Sequence, residues 1–282
     1  MYDYARPASL AETVTLLRDV PGARLLNGGT DLLVGLRKGT LRPPLVIDLK
    51  RVGDLPSGIE ERDGLLWIGA TTPLTALIAE PRVRDRFPAL VAAAQVVGSI
   101  QIRNRATLAG NLCNASPAAD TATPLLVYRA VVVVQGTGEP RRIGLEDFFV
   151  GPGRTALGRD EVVTGIELPL SEEPIGAAFG RLTRRRGVDL ATVNLCCSVS
   201  AGGVTRFAFG AVGPRPFAAV DESGRLAATR DRDEQSRLLR AISAPATPIS
   251  NVRASREYRE AMLQVLGRRA LDEARADLAS RR

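Results

Sequence analysis

The stretch from Thr107 to Asp120 is poor in bulky apolar side chains and rich in residues that let a backbone turn. Gly110, Asn111 and Asn114 can bend the chain and leave several N–H groups free to donate. A helix is predicted to follow at Thr121–Tyr128, with the positive end of its dipole behind those amides. Amides and a helix N-terminus together suit a bound phosphate. The alternative is a long surface loop, but long unstructured loops inside compact domains are uncommon and usually functional.

A second glycine-bearing turn lies near the N-terminus. Leu25 and Leu26 end a short apolar strand, the run Asn27-Gly28-Gly29-Thr30-Asp31 turns the chain, and a helix is predicted to end at Arg37. A strand, a double glycine and a helix form an arrangement in which backbone approaches a ligand closely. By itself it is weak evidence, because it is neither G-x-G-x-x-G nor a P-loop. Two such loops that face one another suggest one elongated ligand with a diphosphate in its middle.

The absence of histidine narrows the chemistry available to this chain. Without imidazole there is no Ser-His-Asp or Cys-His nucleophile pair and no usual zinc site. The three cysteines, Cys113, Cys196 and Cys197, include no C-x-x-C motif, which argues against a disulfide framework or a thiolate-bound cluster. We predict that all three are packing residues. No catalytic side chain and no metal site are predicted, so a cofactor is expected to carry any reaction.

The net charge of +7 raises the question of nucleic-acid binding. The arginines are scattered, with Arg184-Arg185-Arg186 as the one cluster, and aromatic residues make up 4% of the chain. Because nucleic-acid binding uses basic stripes and aromatic platforms, we expect no nucleic-acid partner. No apolar run is long enough to span a bilayer, and the N-terminus does not look like a signal peptide, so a cytoplasmic location is expected.

Periodicity predicts mixed α and β structure in three parts. The first part is a β-α-β unit, the second carries a mostly antiparallel sheet, and the third has an antiparallel meander followed by helices. A capping box begins the first helix, Glu60 to Gly64 is predicted to be a turn, and Thr72 with Pro73 is predicted to cap and begin a helix. The predicted helices lie at 9–20, 30–37, 74–79, 89–97, 121–128, 146–149, 231–241 and 250–280. The predicted strands lie at 24–26, 45–49, 65–70, 130–134, 141–144, 162–168, 177–183, 191–200 and 204–212.

Four stretches carry a more specific pattern. They are residues 27–33; residues 102–104 with 109–112 and 115–120; residues 181–194; and residues 252–259. In order and spacing they resemble the FAD-binding medium subunits of molybdenum hydroxylases, the family of the xanthine dehydrogenase and carbon monoxide dehydrogenase enzymes. The resemblance covers essentially the whole chain. It implies an α+β FAD-binding fold of the vanillyl-alcohol oxidase or PCMH type, with two N-terminal α/β lobes at 1–54 and 55–170 and a C-terminal domain of antiparallel sheet and helices at 171–282.

The resemblance also implies which residues contact a non-covalent FAD. Asp120 corresponds to the acid that contacts the ribose, with a helix cap as the alternative role. Arg181 falls near the flavin N1–C2 edge, where a positive charge raises the reduction potential; a surface arginine is the alternative. A Cβ on the loop glycines would keep the backbone away from the diphosphate. The full set is Leu26, Asn27, Gly28, Gly29, Thr30, Asp31, Leu32, Leu33, Val97, Thr107, Leu108, Ala109, Gly110, Asn111, Asp120, Val163 and Arg181.

By the same resemblance, the chain is an electron-transfer flavoprotein within a larger enzyme. A large molybdopterin subunit would hydroxylate the substrate, and a small [2Fe-2S] subunit would relay electrons to this FAD, which passes them to NAD, a quinone or oxygen. A dimer of heterotrimers is expected. Asp31 departs from the Gly-Gly-His-Ser loop of carbon monoxide dehydrogenases, which disfavours that substrate. The alternatives are a free-standing FAD-dependent reductase of the same fold and an arginine-rich binding protein without a cofactor.

Overall fold

The computed structural model describes residues 2–281, and its first sheet is a small parallel one. Its strands are β1 (Asp3–Ala5), β2 (Arg24–Leu26) and β3 (Leu45–Asp48), in the order β1-β3-β2. Helix α1 (Leu10–Asp19) precedes β2, and helix α2 (Leu32–Arg37) joins β2 to β3. The Ser9 hydroxyl accepts a hydrogen bond from the Glu12 amide and caps α1. The predicted β-α-β unit is therefore confirmed, and β1 is an additional strand.

The second sheet is antiparallel and has five strands. In chain order this region contains β4 (Ile59–Arg62), β5 (Leu65–Gly69), β6 (Val131–Gln135), β7 (Arg141–Gly144), β8 (Phe149–Gly151), β9 (Arg154–Thr155) and β10 (Val162–Pro169). The sheet order is β4-β5-β10-β6-β7, and β8 pairs separately with β9. The helices of this region are α3 (Leu74–Ala79), α4 (Pro81–Arg86), α5 (Pro88–Gln95), α6 (Ile100–Arg103), α7 (Leu108–Cys113), α8 (Ala122–Val127) and α9 (Leu145–Phe148).

The third sheet is an antiparallel meander. Strands β11 (Ile175–Leu182), β12 (Val193–Ser200), β13 (Thr205–Gly210) and β14 (Phe217–Asp221) pair in sequential order. Helices α10 (Arg225–Ala228), α11 (Arg232–Ile242) and α12 (Arg256–Ser280) follow. Helix α12 packs closely against β11, since a Cβ at Gly176 would lie 2.2 Å from the Ala274 carbonyl oxygen. The residue after this helix reaches the second region, where Arg281 Nη1 donates to the Asp85 carbonyl at 2.9 Å.

Two hydrophobic cores hold these layers together. The larger core is shared by the first two sheets and their helices and also takes in Ala177, Cys196 and Ala208 of the third sheet. The smaller core lies between the third sheet and helices α11 and α12. Helix α8 contacts β12 and β13, so it joins the second region to the third sheet. The buried residues of α8 thereby pack against β12 and β13 of the third sheet.

Several boundaries differ from the sequence predictions. Glu60–Gly64 is not a turn throughout, because Ile59–Arg62 forms an edge strand with a charged face, and the turn is confined to Asp63 and Gly64 with φ of 50° and 71°. The Thr72 hydroxyl donates to the Gly58 carbonyl at 2.9 Å, and Pro73 occupies the N-cap of α3. The predicted turn-rich run after Thr107 contains α7.

The last helix begins at Arg256 rather than Ser250, because the Ser255 hydroxyl caps it by accepting from the Tyr258 amide. Among the helices of residues 2–281, none has both the length and the hydrophobicity that crossing a membrane requires. The cytoplasmic location stays a prediction.

Candidate cofactor site

A polar cleft of about 330 Å³ lies where the first and second sheets meet. It brings together Asn27 and Gly28 of the first loop and Thr107 of the second. These residues were predicted from sequence to share one ligand, whereas Lys50 and Arg105, which line the same cleft, were not predicted. No Asp or Glu side chain of residues 2–281 lines it. The cleft is therefore suited to an anionic group.

Hydrogen bonds hold the two loops against one another. The Asn27 side-chain amide donates to the Ala70 carbonyl at 2.8 Å and to the Thr107 hydroxyl at 3.0 Å. That hydroxyl also accepts from the Gly110 amide at 3.0 Å, which makes Thr107 the N-cap of α7. Thr107 is buried, and these two hydrogen bonds fill both acceptor positions of its hydroxyl oxygen. The first loop is thus fastened to the start of the helix formed by the second.

Gly28 allows the two loops to touch through their backbones. A Cβ at this position would lie 2.1 Å from the Arg105 carbonyl oxygen and 3.0 Å from the Ala106 Cα. Gly29 has φ of 76°, a conformation that favours glycine. At Gly110 the one nearby atom is the Thr107 hydroxyl oxygen, which lies 3.0 Å from the point that a Cβ would occupy. The close approach seen at Gly28 is therefore between two parts of the protein, whereas the sequence argument had assigned it to a ligand.

The backbone N–H groups of the two loops are largely available. Within residues 2–281, those of residues 28–32 donate to no protein acceptor. The same holds for Ala109 in the first turn of α7. Successive amides of this kind form an anion-binding concavity. The described residues thus fit the phosphate groups of a dinucleotide cofactor.

Asp120 is buried at the junction with the third sheet, with 8% of its surface exposed. Its Oδ1 accepts from Asn194 Nδ2 at 2.9 Å and lies 3.1 Å from Arg181 Nε. Burial raises the pKa of the Asp120 carboxyl above its ordinary value, although Asn194 and Arg181 both favour its charged form. Thr121, not Asp120, occupies the N-cap of α8, so the capping alternative was wrong. No donor in residues 2–281 bonds to Oδ2.

Arg181 and Asn194 face Asp120 side by side, because they are directly paired residues of β11 and β12. The Arg181 side chain is 12% exposed and its Nη2 donates to the Asp189 carbonyl. The alternative interpretation from sequence, that Arg181 is a surface arginine, is therefore wrong. Asn194 was quoted in the sequence motif without a role, and its position becomes visible once the strands are paired.

A further hydrogen bond joins the two halves of this site. The Thr121 hydroxyl donates to Asn111 Oδ1 at 2.7 Å, which ties α7 to the start of α8 beside Asp120. A chain of contacts therefore runs from Asn27 through Thr107 and α7 to the Asp120 cluster. Asp120 and Arg181 do not line the cleft itself.

The remaining predicted residues surround these two centres. Val163 is buried on β10, which α7 contacts, and Val97 is half-buried with its carbonyl accepting from Arg103 Nη1 at 3.1 Å. Neither valine lines the cleft. Leu26, Leu108 and Ala109 are buried, whereas Thr30 and Leu32 are half-buried and Asp31 and Leu33 are exposed.

The cysteines lie in two environments. Cys196 and Cys197 are buried in β12, as predicted for packing residues. Cys113 is exposed at the end of α7, so its assignment as a packing residue was wrong. Leu112 faces the core, and the next residue along the helix, Cys113, lies on the exposed side.

Comparison with known proteins identifies the class to which this arrangement belongs. The family model "FAD binding domain in molybdopterin dehydrogenase" matches residues 1–171. The model "CO dehydrogenase flavoprotein C-terminal domain" matches residues 178–274. The chain therefore belongs to the family of FAD-binding medium subunits of molybdenum hydroxylases.

Individual relatives agree over nearly the whole length. The xanthine dehydrogenase FAD-binding subunit of Escherichia coli O157:H7 is 32% identical over 283 residues, covering 97% of each chain. The carbon monoxide dehydrogenase medium chain of Hydrogenophaga pseudoflava is 30% identical over 284 residues, covering 99% of this chain and 98% of that one. A solved structure of carbon monoxide dehydrogenase from Hydrogenophaga pseudoflava matches with a TM-score of 0.90, at 29% identity and 98% coverage of both chains. This chain is a flavoprotein oxidoreductase subunit with FAD as its cofactor.

Proposed function

We propose that this chain carries electrons between two partners of a molybdenum hydroxylase. A small subunit with [2Fe-2S] clusters would deliver them to the FAD, and NAD, a quinone or another acceptor would remove them. Substrate hydroxylation would occur on a large molybdopterin subunit. The observation that carries this proposal is the pair of hydrogen-bonded loops, from which Asn27, Gly28 and Thr107 line a cleft without carboxylates of the described residues. When bound, FAD supplies the redox chemistry, and this chain's residues hold it without covalent attachment.

The two loops would bind the diphosphate through backbone donors. Amides of residues 28–32 and of Ala109 have no protein acceptor within residues 2–281. Backbone amides do not titrate, so this binding would be independent of pH in the physiological range. Leu26, Leu33, Thr107, Gly110 and Asn111 shape the same loops and complete the proposed contact set there. Val97 and Val163 would supply apolar contacts.

Asp120 can hold the ribose while it stays paired with the third sheet. Arg181 and Asn194 both approach Oδ1, which leaves Oδ2 to accept from a ribose hydroxyl. Arg181 would direct its remaining Nη1 toward the flavin, because its Nε faces Asp120 and its Nη2 donates to Asp189. Its charge there is partly balanced by the adjacent carboxylate. Arg181 would therefore raise the flavin potential less than an isolated arginine would.

The first test is the visible spectrum of the purified chain, recorded before and after heating. Flavin absorption that moves to the supernatant on denaturation and is identified as FAD supports a non-covalent FAD subunit. A colourless chain that does not bind added FAD would contradict the proposal. Covalent retention in the pellet would contradict the mode of attachment.

We also propose the assembly expected for a medium subunit. The relatives described as medium chains support large and small partners, and a dimer of heterotrimers is the arrangement we propose. Co-expression with the neighbouring reading frames and measurement of the complex mass would test it. A chain that remains alone and reduces a small substrate directly would favour the free-standing reductase.

Within the chain, we propose parts at 1–54, 55–170 and 171–282, supported by one main sheet in each range.

A further inference from the structure

We propose that Arg105, with Lys50 beside it, is the side-chain binding site for the diphosphate of FAD. The inference rests on the proposed function and adds to it two cations that lie outside the glycine-bearing loops. Both line the cleft together with Asn27, Gly28 and Thr107. The cleft lining thus contains two cationic residues and no acidic residue from residues 2–281.

The backbone places Arg105 directly against the first loop. Its carbonyl oxygen lies 2.1 Å from the position that a Cβ on Gly28 would occupy. Its amide donates to the Ile102 carbonyl at 3.0 Å, which fixes the turn between α6 and Thr107. Arg105 is therefore held between the available amides of the first loop and the start of α7. Gly28 and Arg105 line the same cleft, so a group bound there by the Gly28 amide would lie beside Arg105.

The charge of Arg105 is not used within the chain. No carboxylate oxygen of residues 2–281 lies within 4.0 Å of its guanidinium, and the side chain is exposed. By contrast, Arg141 and Arg181 each have an acidic partner. A planar guanidinium with parallel donors suits phosphate oxygens, and its charge does not depend on pH in the physiological range.

Lys50 is fixed at the cleft by a buried acid. Its Nζ lies 2.8 Å from Asp48 Oδ1, and the Asp48 carboxylate also accepts from the Lys50 amide and the Tyr4 hydroxyl. Asp48 is 2% exposed, whereas the Lys50 side chain is 41% exposed. The ammonium is therefore positioned, but its charge is partly balanced. We expect Arg105 to contribute more to anion binding than Lys50.

The test measures ligand affinity of the full chain after removal of its flavin. Dissociation constants for FAD, ADP and riboflavin are compared in the wild type and in Arg105→Gln, Lys50→Gln and Arg51→Gln. Arg51 is exposed, follows Lys50 directly and does not line the cleft, so Arg51→Gln is the matched control. Arg105→Lys tests whether a cation alone is sufficient, and thermal unfolding checks that each variant folds.

We expect Arg105→Gln to raise the dissociation constants for FAD and ADP by about tenfold, the loss of affinity expected for one charge-assisted hydrogen bond. Lys50→Gln should raise both constants by about threefold, and Arg105→Lys should restore part of the lost affinity. Riboflavin, which has no phosphate, should bind equally to all variants. The inference is overturned if Arg105→Gln binds FAD and ADP as tightly as Arg51→Gln does. It is also overturned if Arg105→Gln loses as much affinity for riboflavin as for FAD and ADP. Failure of the wild-type chain to bind FAD would instead remove the proposed function on which it rests.

Discussion

The side-chain amide of Asn27 donates a 3.0 Å hydrogen bond to the hydroxyl of Thr107, which is also the cap of α7. One side chain thereby joins a loop of the parallel first sheet to a helix of the second region. Asn27 donates in addition to the Ala70 carbonyl at the end of β5. The relative position of the two loops, and hence of their amides, depends on this asparagine.

Replacement of Asn27 by alanine should reduce both stability and cofactor retention. The buried Ala70 carbonyl would lose the Asn27 donor and the buried Thr107 hydroxyl would lose one of its two donors, so we expect a loss of about 1–3 kcal/mol in the free energy of unfolding. FAD content after purification should fall in parallel. Asn114→Ala is the control, because Asn114 is exposed and its side chain makes no hydrogen bond within residues 2–281. Equal FAD content in the two variants would refute the fastening role.

Gly28→Ala should be destabilising before any ligand is added. The new Cβ would lie 2.1 Å from a backbone oxygen, which can move away only if the two loops separate. Overpacking of this kind costs about 1–3 kcal/mol, measurable by urea unfolding of the flavin-free chain. Gly138→Ala serves as the comparison, because nothing lies within 4 Å of its Cβ position. If flavin-free Gly28→Ala is as stable as Gly138→Ala, the requirement for glycine must come from the ligand.

Asp120→Asn should weaken FAD binding while the junction with the third sheet persists. The amide oxygen can replace Oδ1 as the acceptor for Asn194, but the amide nitrogen cannot accept from a ribose hydroxyl. We expect the dissociation constant for FAD to rise about tenfold. Asp147→Asn, at an exposed position of α9, should leave it unchanged. An unaltered affinity for FAD in Asp120→Asn would mean that Oδ2 does not contact the cofactor.

Glu161 should make stability depend on acid pH. The hydrogen bonds from Arg141, at 2.6 and 2.7 Å, hold the pKa of Glu161 below its ordinary value of 4.5. A lowered folded-state pKa adds stability that is fully present above the unfolded pKa and is lost as pH falls through the folded pKa. Glu161→Gln should therefore show a shallower loss of stability below pH 4.5 than the wild type. Thermal unfolding across this range measures it, and Glu139→Gln, at an exposed position, should match the wild-type slope.

The sequence was sufficient for the large elements and for the two glycine-bearing loops, because strand periodicity and turn residues are local signals. Helix α7 was not predictable in the same way. It has six residues and includes Gly110, so its helix propensity is low. Its stability comes instead from the Thr107 cap and from burial of Leu108 and Leu112. Tertiary packing decided the conformation there.

Contacts between distant segments were also beyond local patterns. Asp120 and Asn194 are 74 positions apart, and their hydrogen bond requires β12 to lie beside α8. The resemblance to a family placed Asp120 and Arg181 near the same cofactor, but it did not indicate that they pair with one another. Lys50 and Arg105 belong to no sequence motif that was assigned to the cofactor, and they are identified as candidate binding residues by the cleft that both line.

The long C-terminal helix has a consequence for the order in which the protein is made. Helix α12 covers β11 and β12, and its Arg259 donates to the carbonyls of Thr192 and Ala211. The strands that carry Arg181 and Asn194 are therefore covered by a helix that is synthesised after them. N-terminal domains fold first during synthesis, so both glycine-bearing loops precede the partners of Asp120. Cofactor loading is thus expected only after helix α12 has been synthesised and has packed on these strands.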